Sequence, residues 1–174
     1  ENFDAILLAT GAQHARKLQV DGCELEGIYY AMDYLPQRNR EIAGDFIPES
    51  LKIDPLKKSA VILGGGFTAA DCLGNLNRQG VNSLIHQFEL LDMVPRPTPV
   101  HEEVNPDCRA NILTERIIDN GKGQVEALQA VNVKWEIEEN GSKIIKKQSG
   151  SEFTINIDMV FLALGFLGPK IEGL

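Results

Sequence analysis

Cysteine is scarce, long apolar runs are missing, and positive charge is in deficit. The three cysteines of this 174-residue chain stand far apart at Cys23, Cys72 and Cys108. An odd, widely spaced set supports neither a disulfide framework nor a metal site, so a reduced, cytoplasmic setting is expected. No stretch approaches the ~20 apolar residues that span a bilayer, and no signal-peptide pattern opens the chain. Lys and Arg number 17 against 25 Asp and Glu, a net charge of -8. That balance argues against nucleic acid or an acidic membrane surface as a partner. The histidines, His14, His86 and His101, have no triad or metal-ligand spacing, and Tyr29, Tyr30 and Tyr34 have no lysine four residues on. No catalytic acid, base, nucleophile or metal ligand is therefore assigned.

What the chain does have is a strand, a glycine turn and a helix in immediate succession. Residues 59–63 read Ser-Ala-Val-Ile-Leu, Gly64, Gly65 and Gly66 follow, and Phe67-Thr68-Ala69 opens a helical pattern. A dinucleotide-binding βαβ unit requires this order. Gly64 suits a turn that a Cβ would obstruct, Gly66 admits close approach of a pyrophosphate, and Ala69 takes the third small position. The anion would meet the unpaired N–H groups and positive dipole end of the helix. Ala69, Cys72, Leu73 and Leu76 form one apolar stripe, and Gly80 is placed as a stop. A second strand is expected over 82–88. Glu89 follows it, about 20 residues beyond the glycines, where an acid would accept from a ribose hydroxyl. Arg78 and Arg96 are candidate partners of a 2′-phosphate. Glu89 thus favours NADH and the arginines NADPH, and the choice stays open.

The remaining chain suggests α/β architecture. Residues 3–12 and 157–166 share one pattern: apolar, Asp, an apolar run, Ala, one residue, Gly. Either these are merely two buried parallel strands, or the chain leaves one dinucleotide-binding domain and returns to it after a second, inserted one. The chain opens without methionine and at once begins a buried-strand pattern, so a piece of a longer protein is expected. Residues 28–42 have helical character, with Ala31, Leu35, Asn39 and Ile42 on one face and Pro36 at a start or kink. Residues 45–55 read as a linker and 95–99 as a proline-rich loop. Strands are expected over 110–118 and 125–138. Asn140-Gly141 then marks a hairpin, with 143–147 pairing back as an antiparallel flap and Trp135 in its core. The expected divisions are 1–37, a crossover strand and helix; 38–156, the inserted nucleotide domain; and 157–174, a return strand.

These residues together resemble the small (beta) subunit of glutamate synthase and its relatives. The resemblance spans nearly the whole chain. Its most specific parts are Gln87-Phe88-Glu89-Leu90-Leu91 and the ending Leu164-Gly165-Phe166-Leu167-Gly168-Pro169. It implies a Rossmann-like NAD(P)H-binding domain, with a parallel sheet and an antiparallel hairpin, flanked by crossover strands of an FAD domain. It implies a flavoprotein oxidoreductase in which NADPH or NADH reduces FAD and electrons pass to a large catalytic subunit or another acceptor protein. The family's FAD fingerprint would precede residue 1, its final flavin motif would follow residue 174, and the fragment alone would be inactive. Gly64, Gly65, Gly66, Phe67, Thr68 and Ala69 would hold the pyrophosphate. Glu89, with Arg78 or Arg96, would read the adenosine ribose. Ala163, Leu164 and Gly165 would line the nicotinamide side, and Ala9, Thr10 and Gly11 would lie near the domain junction and flavin. Phe67 stands where the family usually has Asp, and the 91–109 connection is shorter than the family's. Those departures motivate the rival reading, a non-catalytic nucleotide-binding or subunit-docking module.

Overall fold

In a computed structural model of the chain, the described residues are 3–5, 7, 9, 11–81, 85–92 and 107–169. Five parallel strands form the central sheet: β2 (Ile28–Tyr30), β3 (Ala60–Leu63), β4 (His86–Phe88), β5 (Asp107–Arg109) and β9 (Met159–Leu162). Their spatial order is β2-β9-β3-β4-β5. Helices α1 (Ala31–Ile42) and α2 (Phe67–Arg78) cover one face. The other face is covered by an antiparallel meander of β6 (Ile112–Asp119), β7 (Val125–Ile137) and β8 (Lys143–Asn156). A short antiparallel pair, β1 (His14–Ala15) and β10 (Phe166–Gly168), stands apart. A parallel sheet covered on both faces is the α/β fold expected.

The alternation of side chains along a strand explains this sandwich. Ala60 and Ile62 of β3 pack into the helix-side core with Met159 and Phe161 of β9, while Val61 and Leu63 pack with Val160 and Leu162 against the meander. Both strands must therefore be apolar throughout, and all eight residues are buried. Helix α2 buries the expected stripe of Ala69, Cys72, Leu73 and Leu76 and ends before Gly80, whose φ is +73°. Helix α1 turns only the first half of the expected face inwards, with Ala31 in the core and Leu35 packed against it. Ala31, Tyr34 and Gln37 are buried, whereas Asn39 and Ile42 are exposed. The inward face is fixed by specific polar partners: Gln37 exchanges hydrogen bonds with the backbone of Ile53, and the Tyr34 hydroxyl donates to Gln79.

Position 37 lies within α1, and β9, the strand of the 157–174 segment, pairs between β2 and β3. No described residue of 3–12 is in a strand, and Phe3 and Leu7 are 75% and 91% exposed. Strand β5 was not expected, because three half-polar residues at a sheet edge give no periodic signal. The return arm of the hairpin, β8, runs through Asn156, well past 147. Trp135 is partly buried and donates from Nε1 to the Leu90 carbonyl at 3.1 Å, which ties the flap to the segment after β4. The proline-rich 95–99 loop and His101 lie outside the described residues.

At the amino ends of β3 and β9, Asp158 accepts hydrogen bonds from the Ser59 N–H and hydroxyl, both at 2.7 Å. Burial alone would raise its carboxyl, but these bonds and the nearby Lys58 charge outweigh it and hold it below the ordinary value of 3.8. A depressed carboxylate stabilises the fold above its unfolded value and loses that contribution as pH falls through the lower folded one. Asp158→Asn is therefore expected to lower stability at neutral pH and to shrink the loss of stability as the pH falls through and below 3.8. Melting curves across that range check it.

Candidate functional site

Strands β3, β4 and β9 end at the same edge of the sheet, where open α/β sheets bind ligands. The glycine turn leaves β3 there. Gly64 has φ +125°, and a Cβ on it would lie 2.3 Å from the Ala163 carbonyl oxygen. The turn thus rests directly on the segment that follows β9, and only glycine fits. The Gly64 N–H donates to the Phe88 carbonyl at 2.8 Å, and the Ala163 N–H to the Leu63 carbonyl at 2.9 Å, so three strand ends are tied together. Gly65 is tight in another way: a Cβ on it would lie 2.9 Å from Glu89 Oε2, the flexible end of a side chain.

Gly66 differs from both. A Cβ there would meet no atom within 4 Å, and its φ of -82° is open to any residue. It caps α2, no side chain caps the helix in its place, and the first intrahelical N–H bond comes from Ala70. The N–H groups at the start of α2 are therefore available to an anion, on the positive end of the helix dipole. Ala69 is fully buried, Thr68 is partly exposed, and Phe67 is 77% exposed and leaves the turn uncovered. Thr68 shares a small cavity with Tyr30, Ala31, Ala163, Leu164 and Gly165.

Glu89 stands against this turn. Its Oε2 accepts from the Gly65 N–H at 2.6 Å and its Oε1 from the Leu91 N–H at 2.9 Å. A carboxylate has about four acceptor positions, so both oxygens can still take a ligand hydroxyl. A groove of about 280 Å³ opens beside it, lined in part by Leu63, Gly64, Phe88 and Ile112.

The structure thus brings Gly64, Gly65, Gly66, Phe67, Thr68, Ala69, Glu89, Ala163, Leu164 and Gly165 to one edge. Arg78 stands apart from that edge. It ends α2, so the helical rise sets it about 16 Å along the axis from Phe67. Ala9 and Gly11 are exposed and outside any strand. Thr10 and Arg96 lie outside the described residues. Sequence reasoning assigned no part to Gln87, which is buried beneath the turn. The available signal was a polar residue on the core-facing parity of a short buried strand.

A family defined as pyridine nucleotide-disulphide oxidoreductase matches the chain over residues 1–174. The chain belongs to that family. The glutamate synthase (NADPH) small chain of Mycobacterium tuberculosis is 36% identical over 99% of this chain, which spans 38% of that relative's length. The glutamate synthase (NADH) of Schizosaccharomyces pombe is 31% identical over 97% of this chain, which spans 9% of it. Among solved structures, FprA, an oxidoreductase of M. tuberculosis, superposes with a TM-score of 0.71 at 17% identity, over 99% of this chain and 52% of FprA. That likeness carries the fold. No helix among the described residues is long and apolar enough to cross a membrane.

Proposed function

We propose that the chain is the nicotinamide-nucleotide-binding part of a flavoprotein oxidoreductase of the glutamate synthase small-subunit type. The observation that carries the reading is the contrast within the turn. Gly64 and Gly65 are closed by their own surroundings, whereas Gly66 is open and stands before an uncapped helix. A glycine with no internal reason to be glycine, placed at free N–H groups, is accounted for by a ligand that comes close to the backbone. The residues fit a dinucleotide: the N–H groups from Gly66 to Ala69 take the pyrophosphate, and Glu89 takes the adenosine ribose. Ala163, Leu164 and Gly165 border the adjacent cavity on the nicotinamide side. When bound, the reduced nicotinamide supplies a hydride, two electrons and a proton, to oxidised flavin in the full-length protein. This chain's residues bind and orient; none is assigned a proton.

Glu89 also bears on nucleotide choice. Its carboxylate accepts from a free 2′-hydroxyl and repels a 2′-phosphate, and Arg78 is too far away to offset it. NADH is therefore the favoured donor. The relatives are named for one nucleotide or the other, and a large glutamate synthase subunit or another electron-accepting protein would be the partner. A cytoplasmic setting belongs to the same reading.

Calorimetric titration of the folded chain with NADH and, separately, NADPH tests it. Saturable binding with NADH the tighter ligand is expected. No heat with either, in a sample shown to be folded, overturns the reading and favours a subunit-docking module.

A further inference from the structure

We infer that Gln87 is a positioning residue for the dinucleotide, acting through one peptide plane of the glycine turn; the inference rests on the nucleotide-binding reading above. Gln87 is in the middle of β4, on the face turned towards the helices, and is only 2% exposed. Its Nε2 donates to the Gly64 carbonyl at 3.0 Å. The Gly65 N–H, at the other end of that same peptide unit, donates to Glu89 Oε2 at 2.6 Å. One peptide is thus held at both ends by two side chains of the same strand segment, spaced two residues apart. Between them, the Phe88 carbonyl accepts from the Gly64 N–H. The Gln-Phe-Glu run is a clamp in which each residue holds one backbone group of the turn.

The clamp answers a specific weakness. A peptide between two glycines has no Cβ on either side to oppose rotation, so it has unusual freedom to flip. In the observed orientation its carbonyl is directed at Gln87 and its N–H at Glu89. A flip would turn the carbonyl towards the Glu89 carboxylate, lose both hydrogen bonds and push aside the acid that stands against the turn. The Gln87 amide is itself oriented: Oε1 accepts the Cys108 thiol, Sγ at 3.6 Å, from the neighbouring strand β5. A buried amide at this position has no apolar packing role that Leu or Met would not fill, and its hydrogen bond to the turn accounts for it.

The test uses the full-length flavoprotein and follows flavin reduction against NADH and NADPH concentration. Gln87→Met keeps the volume and removes the donor. It is expected to weaken apparent nucleotide affinity about tenfold. The limiting rate of flavin reduction and the flavin content should stay near wild type. Gln87→Glu supplies a second reading if the Met variant fails to fold. Its protonated carboxyl donates to the Gly64 carbonyl and its ionised form cannot, so its affinity for nucleotide should fall with rising pH while the wild type's stays flat. A lowered melting temperature in the Met variant with affinity within twofold of wild type, or a flat pH profile in the Glu variant, overturns the inference. A wild-type protein whose flavin is not reduced by either nucleotide overturns the functional reading instead.

Discussion

Gly66→Ala is expected to leave the melting temperature within about 2 °C of wild type and to weaken NADH binding at least tenfold, about 1.4 kcal/mol. The two halves of that result come from different facts. The backbone at Gly66 is in a region open to alanine, and the added methyl meets no protein atom within 4 Å. Substituting alanine even relieves some chain entropy lost by glycine on folding. The space that receives the methyl is, however, the space through which a pyrophosphate approaches the N–H groups of α2. A methyl there holds the phosphate away from donors whose hydrogen bonds form at about 2.7–3.2 Å. Melting curves and calorimetry on one preparation separate the effects. Unchanged affinity would mean that nothing approaches the turn at Gly66.

Gly64→Ala should do the reverse. At φ +125° any side chain is strained, at a cost of about 1–3 kcal/mol. The Cβ would also meet the Ala163 carbonyl oxygen at 2.3 Å, a backbone atom that cannot move aside as a side-chain end can. Overpacking adds about 1–3 kcal/mol more. A total loss of about 4 kcal/mol lowers the melting temperature by roughly 8–16 °C for a chain of this size. Denaturant or thermal unfolding checks it. A small change would show that the turn does not rest on the end of β9 as described.

The contrast shows what the sequence made legible. The strand, turn and helix at 59–80 were readable because local rules agree: an apolar β-branched run, glycines where the chain must turn, and a 3.6-residue stripe ending at a glycine. The distinct roles of Gly64 and Gly66 were readable only as a motif, since their physical difference lies in Ala163, a hundred residues away. Arg78 suits a 2′-phosphate by its charge alone, and the full length of α2 separates it from the turn, a distance that sequence proximity does not show. The inward face of α1 was legible at Ala31 and Leu35 but not at Tyr34 and Gln37, which bond to Gln79 and Ile53 in ways that hydrophobic spacing does not encode. Gln87 contributes to the family resemblance but shows no role in the sequence, because a buried amide reveals its purpose only when its partner is located.

The central claim is that the N–H groups between Gly66 and Ala69, with Glu89 beside them, receive a nicotinamide dinucleotide. Amide chemical shifts of the labelled chain, followed during titration with NADH, test it most directly. Saturable shifts at Gly66, Phe67, Thr68, Ala69 and Glu89, with Arg78 and the amino ends of β3 and β9 unmoved, are the result this account predicts. Saturable shifts confined to other parts of the chain, with the Gly66–Ala69 amides unmoved, would contradict it.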